Sequence, residues 1–142
     1  MSLKNINKAI QDLGDALFYD PHNPEVHYHI GLACLKSKDF EGSTKFFTNC
    51  IHYDPGNTFA YSNLAYTYNW LGLYSKSIET WEKADKYADQ NSPAFYNLIK
   101  NWTYSLIKDK YFLDAIINIR RGLQMNPMDA EMWVMWGTIQ KI

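Results

Sequence analysis

Tyr19-Asp20-Pro21-His22-Asn23 and Tyr53-Asp54-Pro55-Gly56-Asn57 share the pattern Tyr-Asp-Pro-x-Asn, and their prolines stand 34 residues apart. A turn that recurs at a fixed interval marks a repeat architecture, so the rest of the chain is read outward from these prolines. Twelve residues before each Pro slot lies a small residue: Ala9, Ser43, Ser77 and Ala115 precede Pro21, Pro55, Asp89 and Pro127. Four residues after the small one comes a bulky apolar residue (Leu13, Phe47, Trp81, Ile119), and three further on a second small one (Ala16, Cys50, Ala84, Gly122). Six residues after the Pro slot stands a ring: His27, Tyr61, Phe95 and Trp133.

Each unit reads as two amphipathic helices, A and then B. Small, bulky and small residues at i, i+4 and i+7 share one face of a B helix, where the small ones admit a close neighbour. Asn23-Pro24 and Ser92-Pro93 read as an N-cap followed by Pro at the first helical position. Asp-Pro closes a helix, because the residue before Pro is pushed out of the α region. Ring and first small residue are 16 apart in two units (His27 to Ser43, Tyr61 to Ser77) but 20 apart in the third (Phe95 to Ala115). Four extra residues are about one helical turn, so the apolar face stays in phase. The spacing predicts a lengthened A helix over Pro93 to Lys108.

Four ring blocks carry the same spacing: His27-x2-Ile30-Gly31-x2-Cys34, Tyr61-x2-Leu64-Ala65-x2-Tyr68, Phe95-x2-Leu98-Ile99-x2-Trp102 and Trp133-x2-Trp136-Gly137-x2-Gln140. This resembles the tetratricopeptide family, whose pattern is W-x2-L-G-x2-Y, then A-x3-F, then P, every 34 residues. The resemblance runs over nearly the whole chain. It implies an all-α fold, a right-handed α-solenoid of antiparallel hairpins with about eight helices. One domain is expected: a half repeat over 4–23, full repeats over 24–57, 58–91 and 92–129, and a half repeat over 130–142. No hairpin can bury its apolar face alone, so stability is expected from stacking.

Composition narrows the function. Apolar residues make up 46% and charged residues 20%, which favours a packed core over disorder. With 14 Lys plus Arg against 15 Asp plus Glu, the formal charge is −1, and the basic footprint of a nucleic-acid binder is missing. The apolar stretches fall short of a membrane span, and Met1 to Lys8 lacks the apolar run of a signal peptide. The two cysteines, Cys34 and Cys50, hold small-residue slots and read as buried thiols. With no disulfide framework, an intracellular, cytoplasmic setting is expected.

No catalytic or metal constellation emerges. His22 lies in a turn, His27 fills a ring slot, His29 is two residues from it on another face, and no His-x3-His pair exists with His52. Asp20, Asp54 and Asp89 fall in turns. No phosphate loop or nucleophile elbow is present. The expectation is a non-enzyme without cofactor or metal.

The resemblance implies a concave groove lined by A helices, at repeat positions 2, 5, 6, 9, 12 and 13. These map to Glu25, Tyr28, His29, Leu32, Leu35 and Lys36; to Phe59, Ser62, Asn63, Tyr66, Asn69 and Trp70; and to Pro93, Tyr96, Asn97, Lys100, Thr103 and Tyr104. Tyr28, Tyr66, Trp70, Tyr96 and Tyr104 would be rigid anchors, and Asn63 and Asn97 would hold a peptide backbone by two-sided amide hydrogen bonds. Lys36 and Lys100 read as solvated. The implied partner is an extended peptide or a helix. A subset of the family grips a chaperone C-terminal carboxylate, with Lys and Asn at positions 5 and 9, Asn at 6 of the next repeat, and basic groups at 2 and 6 of the third. Here Tyr28, Leu32, Pro93 and Asn97 depart from that set and Asn63 alone matches, so no carboxylate clamp is expected.

The chain opens on a B helix and closes on an A helix, each lacking its hairpin partner. Two readings stand: a segment of a longer solenoid, such as the recognition arm of a larger enzyme, or head-to-tail self-association. The second would place Ile6 and Leu13 of one molecule against Met132, Trp133, Trp136 and Ile139 of another.

Overall fold

Eight α-helices follow one another in the computed structural model, which describes residues 2–142. They are α1 (Leu3–Tyr19), α2 (Pro24–Lys36), α3 (Phe40–Tyr53), α4 (Thr58–Trp70), α5 (Tyr74–Tyr87), α6 (Pro93–Lys108), α7 (Phe112–Met125) and α8 (Ala130–Gln140). Even-numbered helices are A and odd-numbered ones B. Each packs on its neighbours in sequence, which makes the fold a solenoid of helical hairpins. α6 has 16 residues where α2 and α4 have 13.

Local chemistry sets the boundaries. The Asn23 side chain accepts from the amides of Glu25 and Val26, with Pro24 beginning the helix. Asn57, Ser92 and Asp129 cap α4, α6 and α8 in the same manner. The A-to-B turns share one backbone shape. Lys38, Gly72 and Lys110 adopt φ of 63°, 72° and 64°. The next amide in each (Asp39, Leu73, Tyr111) donates to a carbonyl five residues back, on Cys34, Tyr68 and Leu106. This is the left-handed C-terminal cap that closes many helices. The three left-handed residues stand 34 and then 38 apart, so the extra turn lies inside α6.

The core is built from the repeated slots. Phe47, Cys50, Trp81, Ala84, Ala115 and Ile119 are fully or nearly fully buried. One continuous cluster joins Tyr61, Ala65, Trp81, Phe95, Ile99, Ile119 and Met132 across the stack. Gly31 lies against Phe47, whose ring is 2.7 Å from where a Cβ would stand.

A buried polar seam ties the repeats together. Ser43 and Thr67 hydroxyls lie 3.3 Å apart, and Ser77 and Ser105 hydroxyls 3.1 Å apart. The first pair is separated by 24 residues and the second by 28, so the inserted turn is taken up before Ser105. Ser77 also donates to the Ala65 carbonyl at 2.8 Å, and Ser105 to Asn69 Oδ1 at 2.7 Å.

Candidate functional site

The backbones of the A helices approach one another directly, α2 with α4, α4 with α6 and α6 with α8, whereas those of the B helices stand further apart, α5 and α7 meeting through the Asp85–Arg121 ion pair. The A layer is therefore the tighter, inner side of the curve. Between α4 and α6 this side holds two cavities. One, of about 450 Å³, is walled by Phe59, Ser62, Asn63 and Tyr66 of α4 and by Asn97 and Asn101 of α6. The other, of about 420 Å³, is lined by Tyr66, Asn69, Trp70, Tyr74, Asn101 and Tyr104. Tyr66 and Asn101 belong to both, which makes them one trough.

Aromatic packing fixes the shape of its far end. Trp70 is 60% exposed, yet its ring stacks on Phe40, with centroids 5.8 Å apart and planes 7° from parallel. Tyr66 meets Trp70 edge-on at 6.2 Å, and Tyr104 meets Tyr74 edge-on at 6.3 Å. The Lys108 ammonium lies 5.4 Å from the Tyr104 ring. Phe40 and Tyr74 were outside the positions mapped from the family pattern. A signal for them was present: Phe40, Tyr74 and Phe112 each open a B helix, spaced 34 and then 38 residues apart.

The amides are only partly free. Asn63 Nδ2 donates to the Tyr28 hydroxyl at 3.1 Å and to the Phe59 carbonyl at 3.0 Å. Asn101 Nδ2 donates to the Asn97 carbonyl at 3.0 Å. Two-sided backbone capture by Asn63 is thus corrected to one side, its Oδ1. Burial raises the Tyr28 pKa above that of a free phenol, while its bond with Asn63 opposes the rise. His29 stands exposed with its ring edge-on to Tyr28, Leu32 is half-buried, and Lys36 is exposed at the end of α2.

Two mapped residues turn to another task. Tyr96 donates its hydroxyl to Asp129, and Lys100 pairs with Asp129 at 3.2 Å and Glu131 at 2.5 Å. Lys100 is accordingly not the solvated lysine expected, since its side chain is 19% exposed and fastens α8 to α6. The Tyr96 hydrogen bond, with those from the Met132 amide and Lys100, lowers the Asp129 pKa to about 2. Burial first, and then the Asp129 bond, raise the Tyr96 pKa strongly. Thr103 is also corrected: it follows Ile99 by one turn on the same buried face, and its hydroxyl donates to the Ile99 carbonyl at 2.6 Å.

At the chain ends, Ile6 and Met132 are buried within the molecule itself, against the α1–α2 and α7–α8 packing, so neither is available to a second copy. Met132 lies over Gly122. Leu13, Trp136 and Ile139 are half-buried, and Trp133 is 52% exposed. Trp133 donates its indole N–H to the Pro127 carbonyl at 2.8 Å, and His27 Nε2 does the same to Pro21 at 2.9 Å. One ring slot therefore makes one hydrogen bond in two distant repeats. His27 is 6% exposed, a packed ring. Cys34 and Cys50 are free and buried, and burial pushes the Cys50 thiol up to about 11. Among the described residues no three His, Cys, Asp or Glu side chains group as metal ligands, and no helix is long and apolar enough to cross a membrane.

Comparison with known proteins agrees with this geometry. Residues 24–57 match the family described as tetratricopeptide repeat. Hsp70-Hsp90 organizing protein 1 of Glycine max is 25% identical over 134 residues, covering 92% of this chain and 23% of that protein. The chain thus spans about a quarter of that relative's length. Among solved structures, MamA from Desulfovibrio magneticus RS-1 (residues 41 to the end) superposes with a TM-score of 0.85 at 15% identity, over 94% of this chain and 73% of that one. YrrB, a tetratricopeptide-repeat protein with an unusual peptide-binding site, superposes with a TM-score of 0.78 at 16% identity, over 89% and 63%. At those identities the likeness is one of fold. Residues 24–57 thus match the tetratricopeptide-repeat family, and the chain as a whole shares the fold of the tetratricopeptide-repeat structures it superposes on.

Proposed function

We propose that the chain is a protein-interaction scaffold whose α4–α6 trough binds an extended segment of a partner protein. The observation that carries this reading is the held but exposed aromatic end of the trough. Trp70 is 60% exposed while locked between Phe40 and Tyr66. Rings that are already ordered lose little entropy on binding and offer a large amphipathic surface. The Asn63 and Asn101 side-chain oxygens remain as acceptors for a peptide N–H.

The likeness to an Hsp70-Hsp90 organizing protein raises the carboxylate-clamp reading, and the residues argue against it. Tyr28, Leu32, Pro93 and Asn97 stand where the clamp needs other side chains. Lys100, on α6 but outside the trough lining, is neutralised by Asp129 and Glu131, and Lys108 lies over the Tyr104 ring at the far end. No cation stands at the clamp positions Tyr28, Leu32, Asn63, Pro93 and Asn97, which favours an internal segment over a chain terminus.

Peptides selected from a random display library against the protein would be titrated into the wild type and into a Tyr66→Ala/Trp70→Ala double variant. The expected result is a perturbed Trp70 fluorescence signal and an affinity loss of at least about ten-fold, or 1.4 kcal/mol, in the variant. Equal affinity for both proteins would remove the trough from consideration. Tight binding of a chaperone C-terminal peptide would restore the clamp.

A further inference from the structure

On the outer side, α5 and α7 diverge over α6 and leave a notch of about 420 Å³, with Trp102 and Asn118 among its lining residues. Asn118 is 3% exposed, and its Oδ1 accepts from Arg121 at 3.2 Å. A guanidinium can only donate, so that contact fixes which end of the amide is the oxygen. Asn118 Nδ2 is then a buried donor without an acceptor, and the buried indole N–H of Trp102 is a second. Buried donors are nearly always satisfied in folded proteins, so two unmet ones beside one cavity call for an oxygen ligand.

Charge selects which oxygen. Glu79, Glu82 and Asp114 also line the notch, and none of them is in an ion pair among the described residues. Arg121, the cation of the lining, is committed to Asp85 at 3.0 Å and lies over the Trp102 ring. An anion would meet three carboxylates and one neutralised cation. A metal ion is unsupported, since among the described residues no three His, Cys, Asp or Glu side chains group as ligands. A neutral carbonyl flanked by positive charge satisfies both floor and rim.

We propose that this outer notch is a second docking site, which receives a main-chain carbonyl from a Lys- or Arg-bearing partner segment. It is independent of the trough on the inner side, so one chain could hold two segments at once.

The test uses two blocked peptides, acetyl-Ala-Lys-Ala-Lys-amide and acetyl-Ala-Glu-Ala-Glu-amide, titrated into the ¹⁵N-labelled protein. The Trp102 indole signal is identified with Trp102→Phe. The lysine peptide is expected to shift the Trp102 indole and Asn118 side-chain signals saturably, with a midpoint about ten-fold lower than the glutamate peptide. Glu79→Gln/Glu82→Gln, both at exposed positions, should erase that difference while leaving the spectrum folded. Three outcomes would overturn the proposal. Neither peptide moves those signals; both act alike in the wild type; or a long-lived water remains on the Trp102 N–H at peptide saturation.

Discussion

The indole nitrogen of Trp81 donates to the hydroxyl of Ser105 across 3.1 Å, joining α5, the third B helix, to the last turn of α6, the third A helix. Both side chains are almost wholly removed from solvent. Ser105→Ala leaves the Trp81 N–H and Asn69 Oδ1 without this partner. A loss of about 1–3 kcal/mol is expected, read as a lower urea midpoint at unchanged slope. Trp81→Ala removes the ring as well and should cost about 3–5 kcal/mol. Near-normal melting of Trp81→Ala would contradict its place in the core.

Two helical glycines should respond differently to alanine. Alanine is the better helix former by about 1 kcal/mol. At Gly31 the new methyl meets the fully buried Phe47 ring at 2.7 Å, and a ring packed on all sides cannot step aside. Gly31→Ala is expected to destabilise by about 1–3 kcal/mol despite the propensity gain. At Gly122 the obstacle is the flexible end of Met132, so Gly122→Ala should fall within about 1 kcal/mol of the wild type. Thermal unfolding of the pair decides it.

The turns carry a stability reserve of opposite sign. Lys38 and Lys110 hold φ of 63° and 64°, where a side chain is strained, while Gly72 holds the same shape without cost. Lys38→Gly and Lys110→Gly should each stabilise by up to about 1 kcal/mol, and Gly72→Ala should destabilise by about 1–2 kcal/mol. Chemical denaturation of the three variants checks all three signs.

Acid should loosen the α6–α8 contact. The Asp129 carboxyl lies at about 2 in the folded chain against an ordinary 3.8. A depressed value means that its stabilisation is complete above about 3.8 and is lost as the pH falls from there toward 2. Amide exchange in α8 should quicken over that window. Asp129→Asn keeps the N-cap acceptor but not the charge, so it should flatten the response. An unchanged acid profile in Asp129→Asn would show that the Tyr96 and Lys100 contacts do not drive it.

Those features that are periodic were legible before any coordinates. The Pro slots and the small–bulky–small triplets express backbone limits and volume limits, which recur with every hairpin. Trp81, Phe47 and the length of α6 follow from them. The pairing of Tyr96 and Lys100 with Asp129 and Glu131 was not legible, because these partners sit a repeat away and no local rule pairs them. Ile6 and Met132 were assigned to the ends because each terminal helix lacks a hairpin partner; one neighbour proved enough to bury both. The outer notch had no sequence signature, since an unmet donor is defined by what fails to reach it.

The spacing of the two layers has a mechanical side. Inner helices lie backbone to backbone while the outer ones stand further apart, bridged between α5 and α7 by a side-chain ion pair, so bending of the stack is hinged on its inner layer as in a leaf spring. The Trp81–Ser105–Asn69 seam acts as a rivet beneath the trough. Compliance is thereby moved to either side of the rivet, while the width of the trough between α4 and α6 is held.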